Sequence, residues 1–260
     1  MIPICPADDA HVKPTVGCVQ CRSNAPLGFD FDYAYQPIVN IRTRTIFGHE
    51  ALVRGPNGES AYSVLARVND ANRYMFDQAC RVKAIRGAAE LGIAEMLSIN
   101  FLPNAVYRPE ACIRSTLNAA REYNFPLERI IFEVTESEQV MDRAHLVNIF
   151  EEYRRFGFSS AIDDFGAGYA GLNLLAEFQP DIVKIDMELV RDIDVKRPKQ
   201  AIVGGIVAIC AELGVKVLAE GIETPAERDF LARAGVELMQ GYLFCKPAFK
   251  AIGKIAPGAW

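Results

Sequence analysis

The sequence predicts a (β/α)8 barrel, an α/β fold in which eight strands close into a cylinder. From residue 33 to residue 244, short apolar stretches of strand length alternate with stretches that repeat apolar residues at helical spacing. Such alternation is typical of βαβ units and a parallel sheet. About eight strands in roughly 230 residues favour a closed barrel over an open sheet.

The first two strands are the exception to the parallel pattern. They cover residues 33–41 and 46–53, and the connection at residues 40–45 is too short for a crossover helix. We therefore expect these two strands to be antiparallel.

The later elements alternate regularly along the chain. Glycines 92, 157, 214 and 235 follow four of the predicted helices, because glycine readily takes the left-handed conformation at a helix end. Residues 224–227 read Thr-Pro-Ala-Glu, a capping box with proline at the first helical position. The predicted helices cover about residues 75–91, 109–123, 142–156, a short stretch near 172, 198–213 and 225–234, and the strands after them cover 97–101, 130–134, 158–163, 182–185, 215–219 and 236–244.

The composition is that of a globular protein. Of 260 residues half are hydrophobic, and 28 Lys and Arg face 33 Asp and Glu for a net charge of −5. This charge argues against a protein that holds long nucleic acid. No apolar run is long enough for membrane insertion, and residues 1–10 lack the pattern of a secretory signal. Seven cysteines, an odd number, suit a reducing compartment, so we expect a cytoplasmic protein.

Two regions are predicted: an irregular cysteine-containing N-terminal extension over residues 1–27, and the barrel over residues 28–260. The extension is rich in proline and has neither helical nor strand periodicity. It also carries four side chains of the kind that bind a structural Zn²⁺: Cys5, His11, Cys18 and Cys21. A disordered or redox-labile leader explains them equally well.

Polar residues end nearly every predicted strand. In a barrel these ends converge on one face, where active sites are built. The residues are Glu50, Asn100, Glu133, Asp163 with Asp164, Lys184 with Asp186, Glu220 with Glu223, and Gln240.

So many carboxylates cannot all stay ionised together without cations between them. Carboxylate and amide oxygens suit Mg²⁺ or Mn²⁺ and not zinc, and the adjacent pair Asp163-Asp164 is expected where two metals lie close together. Any one of these acids alone is better explained as a solvated strand end. Lys184 has apolar neighbours, so it requires a charge partner or a task, unless it reaches the barrel rim. The two glycines after Asp164 predict an active-site loop whose turn needs positive φ.

Several blocks of residues form a larger pattern. They are Tyr35-Gln36-Pro37-Ile38-Val39, Glu50-Ala51-Leu52-Val53-Arg54, Ser98-Ile99-Asn100, Phe132-Glu133-Val134-Thr135-Glu136-Ser137, Ile162-Asp163-Asp164-Phe165-Gly166-Ala167-Gly168-Tyr169, Val183-Lys184-Ile185-Asp186, Ala219-Glu220-Gly221-Ile222-Glu223-Thr224 and Gln240-Gly241-Tyr242-Leu243-Phe244. Taken in this order, they resemble the EAL domain family of cyclic-di-GMP phosphodiesterases over about residues 28–260. Two features depart from the family pattern: Cys245, where a small residue is usual, and Gly55-Pro56-Asn57, where an aromatic residue is usual.

The resemblance implies a role for each matching residue. Two Mg²⁺ or Mn²⁺ ions would be bound by Glu50, Asn100, Glu133, Asp163, Asp164 and Glu220. Gln240 would position water, and Lys184 would lie against the attacking water or the phosphate. Glu136 would hold the Asp-Asp loop, and Glu223 would support the site from behind. The dinucleotide would be contacted by Gln36, Leu52, Arg54, Asp186 and Pro247.

The implied reaction is hydrolysis of cyclic-di-GMP to linear 5′-pGpG by two metal ions, with Glu220 or Asp164 as general base. The resemblance also implies a homodimer, and a regulatory protein partner stays open. Two alternatives remain. One is a catalytically silent module that binds cyclic-di-GMP or a protein. The other is a different metal-dependent barrel enzyme that abstracts a proton with Lys184 as base.

Overall fold

The computed structural model describes residues 27–136, 143–168 and 171–260. Within these ranges nine strands form one sheet. The strands are β1 Asp32–Asn40, β2 Thr45–Arg54, β3 Met96–Asn100, β4 Ile130–Thr135, β5 Ser159–Phe165, β6 Ile182–Ile185, β7 Lys216–Ala219, β8 Leu238–Met239 and β9 Ala248–Phe249.

The sheet closes into the predicted barrel. Strands β2 to β8 are parallel neighbours in chain order, and β1 lies between β8 and β2, antiparallel to both. The two-residue strand β9 adds to β1 through the pair Ala34–Phe249. Both the barrel and the antiparallel first pair are confirmed, the latter because a four-residue turn at residues 41–44 joins β1 to β2.

Helices follow most of the strands and cover the outside of the barrel. The capping box is present: Thr224 Oγ1 accepts from the backbone N–H of Glu227, and Glu227 Oε2 accepts from the N–H of Thr224. The α-helices in the described ranges are α1 Ala61–Leu65, α2 Arg73–Glu90, α3 Pro109–Cys112, α4 Arg114–Glu122, α5 Arg143–Arg155, α6 Gly171–Glu177, α7 Met187–Val190, α8 Arg197–Glu212 and α9 Pro225–Arg233.

Two of the predicted elements differ in the structure, and the short elements α1, α7 and β9 were not predicted. The predicted helix at residues 109–123 is two helices, α3 and α4, with a turn at Ile113. The predicted last strand at residues 236–244 has only two residues in the sheet. After Gln240 the chain folds onto Ile222, whose N–H donates to the Gln240 carbonyl and whose carbonyl accepts from Leu243. A Cβ on Gly241 would lie 2.1 Å from the Ile222 oxygen, so only glycine fits this close approach.

Apolar side chains fill the barrel near the N-terminal ends of its parallel strands. They form a small buried cluster of Ile38, Ile131, Ala161, Ile182, Leu218 and Leu238. A larger apolar core lies between the barrel wall and the helices. The buried charged residues of the barrel interior are thereby confined to the opposite, C-terminal end. In the part of the chain that the structure describes, no helix is both long and apolar enough to cross a membrane.

Candidate active site

Four carboxylates meet at the C-terminal end of the barrel around Lys184, whose side chain is completely buried. The Nζ of Lys184 lies 2.9 Å from both Asp163 Oδ1 and Glu220 Oε1. It also lies 3.0 Å from Glu133 Oε2 and 3.5 Å from Glu50 Oε2. A single ammonium group therefore contacts acids carried by four different strands, and the alternative that Lys184 reaches the barrel rim is excluded.

Amide side chains continue this cluster towards β1. Asn100 Nδ2 donates to Glu50 Oε1 at 3.1 Å, and Gln240 Nε2 donates to Glu50 Oε2 at 2.8 Å. Gln240 Nε2 also donates to Gln36 Oε1 at 3.0 Å, and Gln36 Nε2 donates to the Cys245 carbonyl. Both oxygens of Glu50 are thus held, which fixes the orientation of its carboxylate.

The electrostatics show an excess of negative charge. Burial raises the pKa of Glu133 to about 8 and that of Glu220 well above its ordinary value, although Lys184 opposes both shifts. Burial and the neighbouring Asp163 raise the pKa of Asp164 to about 6. Burial would lower the pKa of Lys184, but the surrounding carboxylates outweigh it and keep the group an ammonium ion. One lysine does not neutralise these acids, so cations would stabilise their ionised forms.

The geometry fits a pair of divalent cations. Ligand oxygens lie within 4.8 Å of one another in two groups, Glu50 with Glu133 and Asp163, and Asp163 with Asp164 and Glu220. Asp163 belongs to both groups. The buried Gln240 Oε1 has no hydrogen-bond partner, which leaves an acceptor for water at the site. An all-oxygen set of this kind suits Mg²⁺ or Mn²⁺.

The Asp-Asp loop follows β5 and turns sharply. Asp164 has φ +54° and Gly166 has φ +100°, as the glycine spacing predicted for this turn. Glu136, at the end of β4, accepts hydrogen bonds from the N–H groups of Gly166 (2.7 Å), Gly168 (3.1 Å) and Gly171 (2.6 Å). One carboxylate thus ties both sides of the loop to β4.

Comparison with known proteins identifies the family. The sequence-family model of the EAL domain matches residues 23–247 of this chain. The chain belongs to the EAL domain family. Its fold is therefore that of an EAL domain, as the sequence blocks predicted.

Two solved EAL structures illustrate the relationship. A standalone EAL protein from Vibrio cholerae O395, solved with c-di-GMP bound, is 57% identical with a TM-score of 0.88, over 90% of this chain and 99% of that one. BlrP1 of Klebsiella pneumoniae, solved as a manganese and cyclic-di-GMP complex, is 37% identical with a TM-score of 0.83, over 88% of this chain and 58% of that one.

The names of two further relatives of this EAL domain indicate different activities. The blue light- and temperature-regulated antirepressor BluF of Escherichia coli K12 is 35% identical over 86% of this chain and 56% of its own length. The cyclic di-GMP phosphodiesterase RocR of Pseudomonas aeruginosa is 28% identical over 84% of this chain and 57% of its own length. The chain thus spans little more than half the length of these relatives.

Other residues predicted for the EAL site make hydrogen bonds or ion pairs outside the acidic cluster. Asp186 caps α7 by accepting from the Glu188 N–H at 2.9 Å. Glu223 is partly exposed and forms a 2.7 Å ion pair with Arg191, so its carboxylate supports the loops and does not contact the acids. The Arg54 guanidinium donates to the Val53 carbonyl at 2.8 Å. The side chains of Leu52, Arg54 and Pro247 are half-buried.

Sequence reasoning gave no role to Ser98, which the structure places in the site. Its buried hydroxyl donates to Glu133 Oε1, the oxygen that does not contact Lys184. The sequence could have indicated this position, because Ser98 precedes Asn100 by two residues in β3 and alternate residues of a strand share a face.

Proposed function

We propose that this chain hydrolyses cyclic-di-GMP to linear 5′-pGpG with two Mg²⁺ or Mn²⁺ ions. The ions would be held by the six oxygen-bearing residues named above: Glu50, Asn100, Glu133, Asp163, Asp164 and Glu220. The observation that carries this proposal is the pair of carboxylate groups that share Asp163 around a buried lysine. Among relatives, RocR is a phosphodiesterase of this substrate, and the Vibrio cholerae and BlrP1 structures contain it.

Bound divalent ions would polarise the phosphodiester and lower the pKa of an attacking water. The protein's own groups would then divide the remaining work. Lys184 stays an ammonium ion, so it would stabilise charge on the phosphate and not act as a base. This argues against the proton-abstracting enzyme with a lysine base. Asp164 and Glu220 both remain candidates for the general base, and Gln240 Oε1 would accept from the water.

The proposal also assigns contacts with the substrate. Arg54 would bind a phosphate of the dinucleotide through its planar guanidinium. The other predicted contacts are Gln36, Leu52, Asp186 and Pro247. The proposal includes a homodimer, which light scattering of the purified protein tests. It also includes a reducing, cytoplasmic location, since the four described cysteines are free thiols.

The second candidate function is a receptor that binds cyclic-di-GMP or a protein without turnover. BluF supports it, because that relative is an antirepressor and is 35% identical to this chain. The complete set of oxygen ligands favours the enzyme, since a receptor does not need them all.

The deciding experiment is incubation of the purified protein with cyclic-di-GMP in Mg²⁺, Mn²⁺ and chelator, with products separated by chromatography. We expect 5′-pGpG in both metals and none in chelator. Glu50→Ala should abolish turnover and keep the circular dichroism spectrum, because it removes one ligand from the cluster. Binding without product in any metal would support the receptor, and near-normal turnover by Glu50→Ala would overturn the site.

The proposed zinc ligands Cys5, His11, Cys18 and Cys21 lie outside the described residues, and so does nearly all of the predicted extension. Metal analysis of the purified protein tests this prediction. Less than stoichiometric zinc would end it.

A further inference from the structure

Helix α2 buries three polar side chains that the proposed chemistry does not use. Asp77 and Gln78 are 1% exposed and Arg81 is completely buried. They lie on the outer side of the barrel wall, near β3 and β4, which carry Asn100 and Glu133. The sequence alone shows Asp77 and Arg81 as an ordinary i, i+4 pair of the kind found on exposed helix faces.

Arg81 connects helix α2 to both helix α5 and the barrel wall. Its NH1 donates to the hydroxyl of Tyr153 on α5 at 2.7 Å, and its NH2 lies 2.9 Å from Asp77 Oδ2. The guanidinium carbon lies 4.9 Å from the centre of the Phe132 ring and 5.5 Å from that of Phe101. These distances place the charge over two aromatic faces in a site without water contact.

The two aromatic residues are chain neighbours of two proposed metal ligands. Phe132 precedes Glu133 in β4, and Phe101 follows Asn100 at the end of β3. The Phe101 N–H donates to the Glu133 carbonyl at 3.0 Å, and Asn100 lies opposite Glu133 in the strand register. The Leu102 N–H, one residue further, donates to Asp77 Oδ1 at 2.9 Å. Asp77 therefore holds the backbone two residues after Asn100, and Arg81 packs against the aromatic side chains next to both ligands.

Stability alone does not explain this arrangement. Replacing a buried ion pair by apolar residues of similar volume is often neutral or stabilising, because the charges must be removed from water. What such a network supplies is one defined geometry. We propose that Asp77, Arg81 and Tyr153 are positioning residues that hold Asn100 and Glu133 in the arrangement required for binding divalent cations. This inference rests on the proposed function, in which Asn100 and Glu133 are metal ligands.

The test compares variants by Mn²⁺ affinity, measured by calorimetry without substrate. The double variant Asp77→Leu/Arg81→Met removes both charges together, so that no buried charge is left unpaired. We expect its Mn²⁺ affinity to fall about 10–100-fold, the effect typical of losing groups that orient metal ligands. Amide exchange at Leu102 should accelerate, because its acceptor is gone.

A matched pair of tyrosine variants separates positioning from packing. Tyr153→Phe removes only the hydroxyl that binds Arg81. Tyr35→Phe removes an equally buried hydroxyl that donates to the Ala84 carbonyl on the same helix at 3.0 Å. We expect Tyr153→Phe to weaken Mn²⁺ binding by about tenfold, the low end of this range, and Tyr35→Phe to leave it unchanged. If the double variant does not fold, this pair decides the question.

The outcomes distinguish the two proposals. A wild-type protein that binds no Mn²⁺ would overturn the proposed function and this inference with it. A wild-type protein that binds Mn²⁺ and turns over substrate, while Tyr153→Phe binds Mn²⁺ as tightly as the wild type does, would overturn the inference alone. Equal losses of affinity in the two tyrosine variants would also overturn it, because the effect would then be one of helix packing.

Discussion

Replacing Lys184 by methionine removes the only ammonium group that contacts the acidic cluster among the described residues. Four carboxylates lie within 3.5 Å of Lys184 Nζ. Removing one partner of a buried ion pair costs about 3–5 kcal/mol, and the acids must take up protons to limit the loss. For a chain of this size that corresponds to a decrease in melting temperature of about 6–10 °C, at about 2 °C per kcal/mol.

The decrease should depend on the metal. Lys184→Met also removes a positive charge that repels cations, so Mn²⁺ should bind the variant at least as tightly as the wild type. The gap in melting temperature between wild type and variant should therefore be large in chelator and smaller in Mn²⁺. Turnover should fall by about 10²–10³-fold in Mn²⁺, because a charge that stabilises the phosphate is lost.

Lys83→Met is the matched control. Lys83 forms its ion pair with the largely exposed Asp30 and does not contact the cluster. Solvent screens this pair on the Asp30 side, so Lys83→Met should lower the melting temperature much less than Lys184→Met does, and by the same amount in chelator and in Mn²⁺. An unchanged melting temperature of Lys184→Met in chelator, or a gap that does not narrow in Mn²⁺, would refute the reasoning.

Three further predictions concern the loop and the protonation of the acids. Glu136→Gln should accelerate amide exchange at Gly166, Gly168 or Gly171 and lower turnover. The reason is that the amide keeps one acceptor oxygen where the carboxylate offers two. Amide exchange equal to that of the wild type would contradict this prediction. Glu133 and Asp164 have raised pKa values of about 8 and about 6, and Mn²⁺ must displace any proton that they carry. The affinity for Mn²⁺ should therefore rise between pH 6 and 8, by up to about tenfold per pH unit for each proton displaced. In chelator, folded Glu133 keeps a proton between about pH 4.5 and 8 that the unfolded chain has lost, so the stability contributed by this group should fall as pH rises through that range. Thermal melts should show a smaller fall in Glu133→Gln.

The sequence was sufficient to predict the barrel and the polar residues at the C-terminal ends of its strands. Alternation of apolar strands and helices determines the fold. Polar residues near the C-terminal ends of parallel strands then lie at the same end of the barrel. This is why Glu133 and Asp163 could be proposed as members of one site. The family blocks then assigned them roles.

Contacts between distant elements could not be predicted in this way. Ser98 occupies an ordinary strand position, and only the structure shows its hydroxyl against Glu133. Helical periodicity predicted a buried face of apolar residues on α2, yet Asp77 and Arg81 are buried as well. Helix α2 packs against both the barrel wall and its neighbouring helices. The buried face of α2 is therefore wider than its stripe of apolar residues indicates.

The distribution of charge in the barrel separates stability from function. Burying Lys184 with its acids, or Arg81 with Asp77, costs desolvation that apolar side chains would avoid. Both groups lie near the C-terminal ends of the strands, whereas the cluster that includes Ile131 and Leu218 fills the opposite end with apolar contacts. The apolar end therefore offsets the cost of the charged end. Substitutions in the apolar cluster should lower melting temperature with little change in Mn²⁺ affinity, because its side chains carry no oxygen that could bind a cation. Substitutions around Lys184 should change both, because there the same contacts hold the fold and the ligands.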